Sequence, residues 1–154
     1  MLIITHIIVH ISDSEFGSAR EIRKWHLARG WKDIGYHFVI LNGTILPRFT
    51  IPCLTGSIEL GRPLDGDVFL EDNEIGAHAL GYNANSIGIC GIGKDGWHPV
   101  QEASLVMLTR QLMKIYGVKV DNVLGHYETD SGRKQGKTCP NLDMDRIRGM
   151  LVGL

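Results

Sequence analysis

Cysteine is scarce. Cys53, Cys90 and Cys139 are the only three in 154 residues. That is too few and too scattered for a disulfide framework, so a reducing compartment is expected, with a cysteine free for a metal. Neither sign of charge dominates: sixteen basic and seventeen acidic side chains leave a formal net charge of -1. Such a balance gives no electrostatic footprint for nucleic acid or an anionic membrane. Long hydrophobic runs are missing too. The most apolar stretch, Leu2 to Ile11, is interrupted by His6 and His10 and has no basic leader before it. It reads as neither a signal peptide nor a membrane span. Synthesis in the cytoplasm is expected, and any target outside it would be reached only after release or delivery by another agent. No repeat, low-complexity tract or linker interrupts the chain, so residues 1–154 are expected to form one domain and to act as a monomer.

What is present is an interleaving of strand and helix patterns. Residues 3–11 form a β-branched run and read as a buried strand. Ser18 and Glu21 have capping-box spacing ahead of a helix over Arg20–Arg29, which Gly30 closes. Tyr36–Leu41 reads as a second strand, Asn42-Gly43 as a hairpin turn and Thr44–Leu46 as the return strand. The proline- and glycine-rich stretch 47–75 reads as a long loop with one or two short strands. Ser86–Ile92 is strand-like. Pro99 opens a helix whose Leu105, Leu108, Leu112 and Ile115 share one face up to Gly117. Val120–Leu124 reads as a last strand, and Asp143–Leu151 as a terminal helix. The expected class is α/β, with a single mixed central β-sheet flanked by helices.

Several residues carry chemistry. His10 stands near the end of the first strand, before the loop Ser12-Asp13-Ser14. His6 has the same strand parity, so periodicity leaves either as a ligand. His126 and Cys139 lie thirteen residues apart and could arise from the two ends of one loop. Two histidines and a cysteine can hold a zinc ion with its fourth position open, which suits hydrolysis by an activated water. Lys137, two residues before Cys139, falls on the same side of an extended segment, where an ammonium would face a developing oxyanion. Tyr36 could donate a hydrogen bond to the same oxyanion or could simply pack; His37 beside it reads as structural. The segment Gly76–Ile89, with His78 and Asn85, is rich in glycine and small polar groups and reads as a groove wall for a polar substrate. His78 also competes as a metal ligand. A different reading makes Cys139 a nucleophile with His126 as its base, which needs a thiolate and no metal.

Taken in order, Ile8-Val9-His10, Glu21 to His26 with Gly30-Trp31, Asp33 to Phe38, Gly61-Arg62, Gly76 to Ile89, and His126 with Lys137-Thr138-Cys139-Pro140 resemble the zinc-dependent type-2 N-acetylmuramoyl-L-alanine amidases. That family includes small phage lysozymes and the peptidoglycan recognition proteins, and the likeness is greatest to the compact phage enzymes. The resemblance implies an amidase fold, one Zn2+ held by His10, His126 and Cys139, and catalytic help from Tyr36 and Lys137. It makes His78 a groove residue. It implies peptidoglycan or a muropeptide as substrate and cleavage between N-acetylmuramic acid and L-alanine. A non-catalytic peptidoglycan-binding module is the other reading the family allows, although such members typically lack the cysteine. Two stretches, Pro47 to Ser57 and Gly66 to Asp72, are longer than in compact members and are expected to reshape the groove. Some relatives carry a glutamate where this chain has Cys90, which leaves more of the chemistry to Tyr36 and Lys137.

Overall fold

The β-branched run at the N-terminus divides between two sheets. In the computed structural model, which describes residues 2–153, Leu2–Ile3 (β1) pairs antiparallel with Phe69–Leu70 (β7). His6–Ile11 (β2) instead enters a five-stranded sheet. The break falls at Ile4-Thr5, where Ile4 N–H donates to Val68 O and Thr5 N–H to Asn85 O, at 2.9 Å each. Apolar periodicity cannot show such a break, because the run stays apolar while its hydrogen-bond partner changes.

The main sheet takes Phe38–Ile40 (β3), Ile58–Leu60 (β6), Ser86–Gly91 (β8) and Val123–Gly125 (β9) together with β2, in the order β6-β3-β8-β2-β9. All pairs are parallel except β3 with β6, so the sheet is mixed with one antiparallel edge. Helices cover both faces. Ala19–Ala28 (α1) packs Ala19 and Ile22 with Ile34, Val39, Cys90 and Ile92. Pro99–Tyr116 (α2) and Met144–Val152 (α4) pack Leu105, Leu112, Met144 and Ile147 against Ile7, Val9, Ile87 and Ile89. Side-chain alternation along β2 and β8 therefore sends Ile7, Val9, Ile87 and Ile89 to the α2 face, and His10, Gly88 and Cys90 to the α1 face.

The helix boundaries follow their caps. Ser18 Oγ accepts from Glu21 N at 3.2 Å, and Gly30 sits at φ 84 after α1. His98 caps α2, and Gly117 ends it in the left-handed region at φ 69. One face residue departs from the apolar pattern: Ile115 is 54% exposed, and Tyr116 is buried in its place. The pattern also passed over Gln101, whose buried amide donates to Ile40 O and Ile92 O.

Asn42-Gly43 does not turn a hairpin between neighbouring strands. Thr44–Leu46 (β4) pairs with Phe49–Thr50 (β5), while β3 takes its antiparallel partner from β6. The Asn42 side chain accepts from Thr44 N at 3.0 Å, and Leu41 is already bonded to Ser57 and Gly56. The 47–75 stretch thus holds three short strands, β5, β6 and β7, with a 3-10 turn at Pro52–Leu54. Val120–Asn122 is a 3-10 turn, and only the residues after it join the sheet. The polar run after His126 contains a 3-10 turn, His126–Glu128, and a short helix, Asp130–Lys134 (α3). Among the described residues no helix is long and apolar enough to cross a membrane.

Candidate active site

In an open parallel sheet, side chains converge beyond the carboxyl ends of the strands. Here β2 and β9 lie side by side, with Val9 opposite Gly125. His10 sits near the end of β2, and His126 follows directly on β9. The chain then passes through α3 and returns, so that Ile11 N–H donates to Cys139 Sγ at 3.3 Å. The ring centroids of His10 and His126 are 4.7 Å apart, and Cys139 Sγ lies 3.9 Å from His10 Nδ1. One ligand atom from each of His10, His126 and Cys139 falls within 4.8 Å of the others, the one such group of three among the described residues.

The turn that carries His126 is fastened from several sides. Thr129 Oγ1 donates to His126 O at 2.8 Å and accepts from Gly132 N at 3.1 Å. Tyr127 N–H donates to Cys139 O at 2.9 Å, which ties the His126 turn to the Cys139 segment. Glu128 accepts from Gly125 N and forms a two-pronged ion pair with Arg148 of α4. Bidentate geometry of this kind fixes orientation as well as charge.

The three residues open onto a cleft of about 310 Å³ that Tyr36, His78, Lys137, Asp13 and Asn141 also line. Burial holds the pKa of His10 well below the ordinary value, and the neighbouring His78 and His126 add to the effect. His126 is lowered by burial and then by the Lys137 charge. Both rings therefore stay neutral with lone pairs to offer near pH 7. Burial also raises the Cys139 thiol to about 11, although its bond from Ile11 and the Lys137 charge pull the other way. Even with the Lys137 charge nearby this sulfur stays protonated, which disfavours Cys139 as a free thiolate nucleophile. A divalent metal is the kind of neighbour that ionises such a thiol. Burial, then Cys90 and Cys139, keep the Tyr36 hydroxyl far above its usual range, so it remains a donor.

Not every candidate is brought here. His6 stands at the start of β2, opposite Ser86; its ring meets Thr5 Oγ1 at 2.8 Å and packs edge-on to Tyr82. Asn85 is also at that far end, in the 3-10 turn before Ser86, and does not line the cleft. His78 does line it, with Nδ1 3.0 Å from His10 Nε2. His37 is held by backbone on both sides, accepting from Gly88 N and donating to Glu74 O. Neither 47–57 nor 66–72 contributes to the cleft lining. Sequence reasoning passed over Asn83, whose side-chain oxygen accepts from both His78 N and Ala79 N and so sets the backbone that carries His78. It also passed over Asp13 and Asn141, two non-glycine residues at φ 55 and 56 on the cleft. Left-handed backbone at a non-glycine residue is a signal only coordinates supply.

These features define an α/β protein in which two parallel strands and a returning turn bring together a His-His-Cys group, at metal-ligand spacing, in a polar cleft that also holds a lysine and a tyrosine. The chain belongs to the N-acetylmuramoyl-L-alanine amidase family, whose model matches residues 2–142. It is 34% identical over 151 residues to the endolysin of Escherichia phage T7, a match covering 91% of this chain and 82% of that protein. Among solved structures it is similar to the N-acetylmuramoyl-L-alanine amidase LysC from Clostridium intestinale (TM-score 0.73, 28% identity, 97% of this chain and 86% of that one). It is also similar to a mutant of Drosophila PGRP-LB in complex with tracheal cytotoxin (TM-score 0.61, 26% identity, 91% and 76% covered).

Proposed function

We propose that this protein is a zinc-dependent endolysin-type amidase that hydrolyses the bond between N-acetylmuramic acid and L-alanine in peptidoglycan. The observation that carries the reading is the convergence of His10, His126 and Cys139 on one cleft within a chain of this family.

The donor set suits zinc. Bonds of about 2.0–2.1 Å to nitrogen and 2.3 Å to sulfur give tetrahedral edges of roughly 3.3–3.6 Å. The 3.9 Å from Cys139 Sγ to His10 Nδ1 needs only slight closure to reach that range. His10, His126 and Cys139 would hold such an ion by three ligands, the number that hydrolytic zinc sites use. Zinc in such a site supplies Lewis-acid polarisation of the scissile carbonyl and an acidified water.

The chain's own residues supply the rest. Water adds to the amide carbon, and the carbonyl oxygen takes up negative charge. The Lys137 ammonium and the neutral Tyr36 hydroxyl both border the cleft where that charge develops. Donors that gain strength only as the charge forms raise turnover rather than affinity. The carbon–nitrogen bond then breaks, leaving a carboxylate on the lactyl group of the sugar and a free amine on L-alanine.

The test is hydrolysis of purified peptidoglycan, read as new N-terminal alanine. Activity abolished by a chelator and restored by zinc is expected, with one zinc per chain. Binding of peptidoglycan with no release of peptide would instead make the protein a recognition module. Activity insensitive to chelation would remove the metal mechanism.

A further inference from the structure

The geometry points to His78 as a positioning residue: a one-way hydrogen-bond chain from the Tyr82 carbonyl through Ser86 and His78 fixes His10 in the tautomer whose Nδ1 is free for a metal. The chain is read from its far end. A carbonyl oxygen has no hydrogen, so Tyr82 O can only accept. Ser86 Oγ lies 2.7 Å from it and must spend its single hydrogen there. Ser86 Oγ is also 3.3 Å from His78 Nε2 and can then act only as acceptor, so Nε2 carries the His78 proton. A neutral imidazole has one ring proton, which leaves His78 Nδ1 as a bare lone pair. His10 Nε2, 3.0 Å away, must donate to it. That in turn leaves His10 Nδ1 without a proton, on the side of the ring that faces Cys139 Sγ. Every donor in the series has one acceptor, and the opposite polarity would leave the Ser86 and Tyr82 oxygens 2.7 Å apart with no hydrogen between them, although Tyr82 O also accepts from Asn85 N.

The fold is built around this ring. A Cβ on Gly88, in the middle of β8, would lie 2.7 to 2.9 Å from His78 Cγ, Cδ2 and Nδ1. A Cβ on Gly76 would lie 2.7 Å from His78 Cδ2. The space of two missing side chains is thus the space His78 occupies. Asn83 fixes the His78 backbone from outside the sheet, and Ser86 is fully buried. Histidine ligands commonly donate their second ring N–H to an outer partner, and losing that partner typically weakens metal binding. Here the partner is another histidine, reached across 68 residues of sequence.

The inference rests on His10 being a ligand, so the experiment reads the two ideas separately. Long-range proton–nitrogen NMR of the metal-free protein reports the tautomers directly. Both His10 and His78 are expected as the Nε2–H form; an Nδ1–H form for either overturns the chain, whatever the metal does. Zinc affinity is then measured by competition with a chromogenic chelator. His78→Leu should weaken binding about 10- to 100-fold while keeping one zinc per chain. In His78→Asn the amide oxygen takes the place of Nδ1, so the acceptor and near-native affinity return. Gly88→Ala, which crowds the ring off its seat, should weaken binding as His78→Leu does. Cobalt in place of zinc should show a changed visible spectrum in His78→Leu and a native one in His78→Asn. Equal losses in the Leu and Asn variants, or native affinity in His78→Leu with a native melting curve, overturn the proposal. Loss of all stoichiometric metal in His78→Leu makes His78 a ligand and also overturns it. Zinc retained by His10→Ala would instead sink the ligand reading itself.

Discussion

Replacing Gly132 by alanine should damage the metal site although Gly132 is no ligand. In a helix interior this exchange normally stabilises by about 0.5–1 kcal/mol, since alanine is the better helix former. Here the sign should reverse. A Cβ on Gly132 would lie 1.9 Å from His126 O and 2.8 Å from its carbonyl carbon. Relieving the overlap requires α3 or the His126 carbonyl to move by about 1 Å, an overpacking strain typically worth 1–3 kcal/mol. That carbonyl cannot yield cheaply, because Thr129 bonds it through both Oγ1 and N. The net expectation is a loss of about 1–2 kcal/mol, a drop in Tm of a few degrees for a chain of this length.

Zinc affinity should suffer more than stability. Metal sites hold their distances to within about 0.2 Å. Thr129 caps α3 and also bonds the His126 carbonyl, so a shift of α3 pulls on the His126 backbone, and a few tenths of an Å there should cost about 10- to 100-fold in zinc affinity by chelator competition. The control is Gly149→Ala in α4, an exposed helical position where a Cβ meets nothing within 4 Å. It should raise Tm slightly and leave zinc untouched. A Gly132→Ala protein that is more stable than the parent and binds zinc equally well would refute the close-approach argument.

Other expectations follow from the same site. Lys137→Ala and Tyr36→Phe should each keep fold and zinc and lose about 10²- to 10³-fold in turnover on purified peptidoglycan; near-normal turnover in both would remove their oxyanion role. Cys139→Ala should lose zinc and activity together by elemental analysis and peptide release, while His6→Ala, at the opposite end of β2, should lose neither. Acid should destabilise the fold through His26 and His37, both buried and held at about 4. The unfolded chain takes up these protons first, below the ordinary value of 6.5, so the stability they confer is complete above that pH and is lost as pH falls towards 4. At pH 5 each would cost about 2 kcal/mol, so Tm measured from pH 8 to pH 5 should fall by roughly 8–16 °C; a flat profile would refute it.

The central sheet was legible because its strands are β-branched and end in loops with ordinary signals. Ser86–Gly91 could be read almost to the residue, as could α1 and α2 from Ser18, Gly30, Pro99 and Gly117. The errors share one cause, which is that a strand's partner is not written in its own residues. Leu2-Ile3 and Ile7-Ile8 look alike in composition, yet one pair meets β7 and the other meets β8 and β9. Asn42-Gly43 has hairpin chemistry and does make a turn, with Gly43 at φ 91. What overrides the hairpin is long-range: Ser57 and Gly56 already occupy the hydrogen-bonding edge of Leu41. The polar run after His126 reads as loop because a five-residue helix leaves too few residues for a period. Its marks are Thr129, which caps it, and Gly132, which lets it approach His126.

The candidate site divides along the same line. His10, His126, Cys139, Tyr36 and Lys137 stand beside strand ends or in a dense local motif, and the structure gathers all five at one cleft. His78 could be placed near the site but not given its relation to it, because a bond spanning 68 residues has no local signature. Asn85 went the other way. It shares a polar, glycine-rich segment with His78, but it precedes β8, and that strand advances about 3.3 Å per residue away from it. By the time the strand reaches Cys90, opposite His10, the chain has crossed the sheet, and Asn85 is left at the His6 end. Composition can mark a segment as a wall of a groove. Strand direction decides which of its residues face the metal-ligand group, and in this fold that direction favours His78, whose loop folds back over Gly88, over every residue between Tyr82 and Ser86.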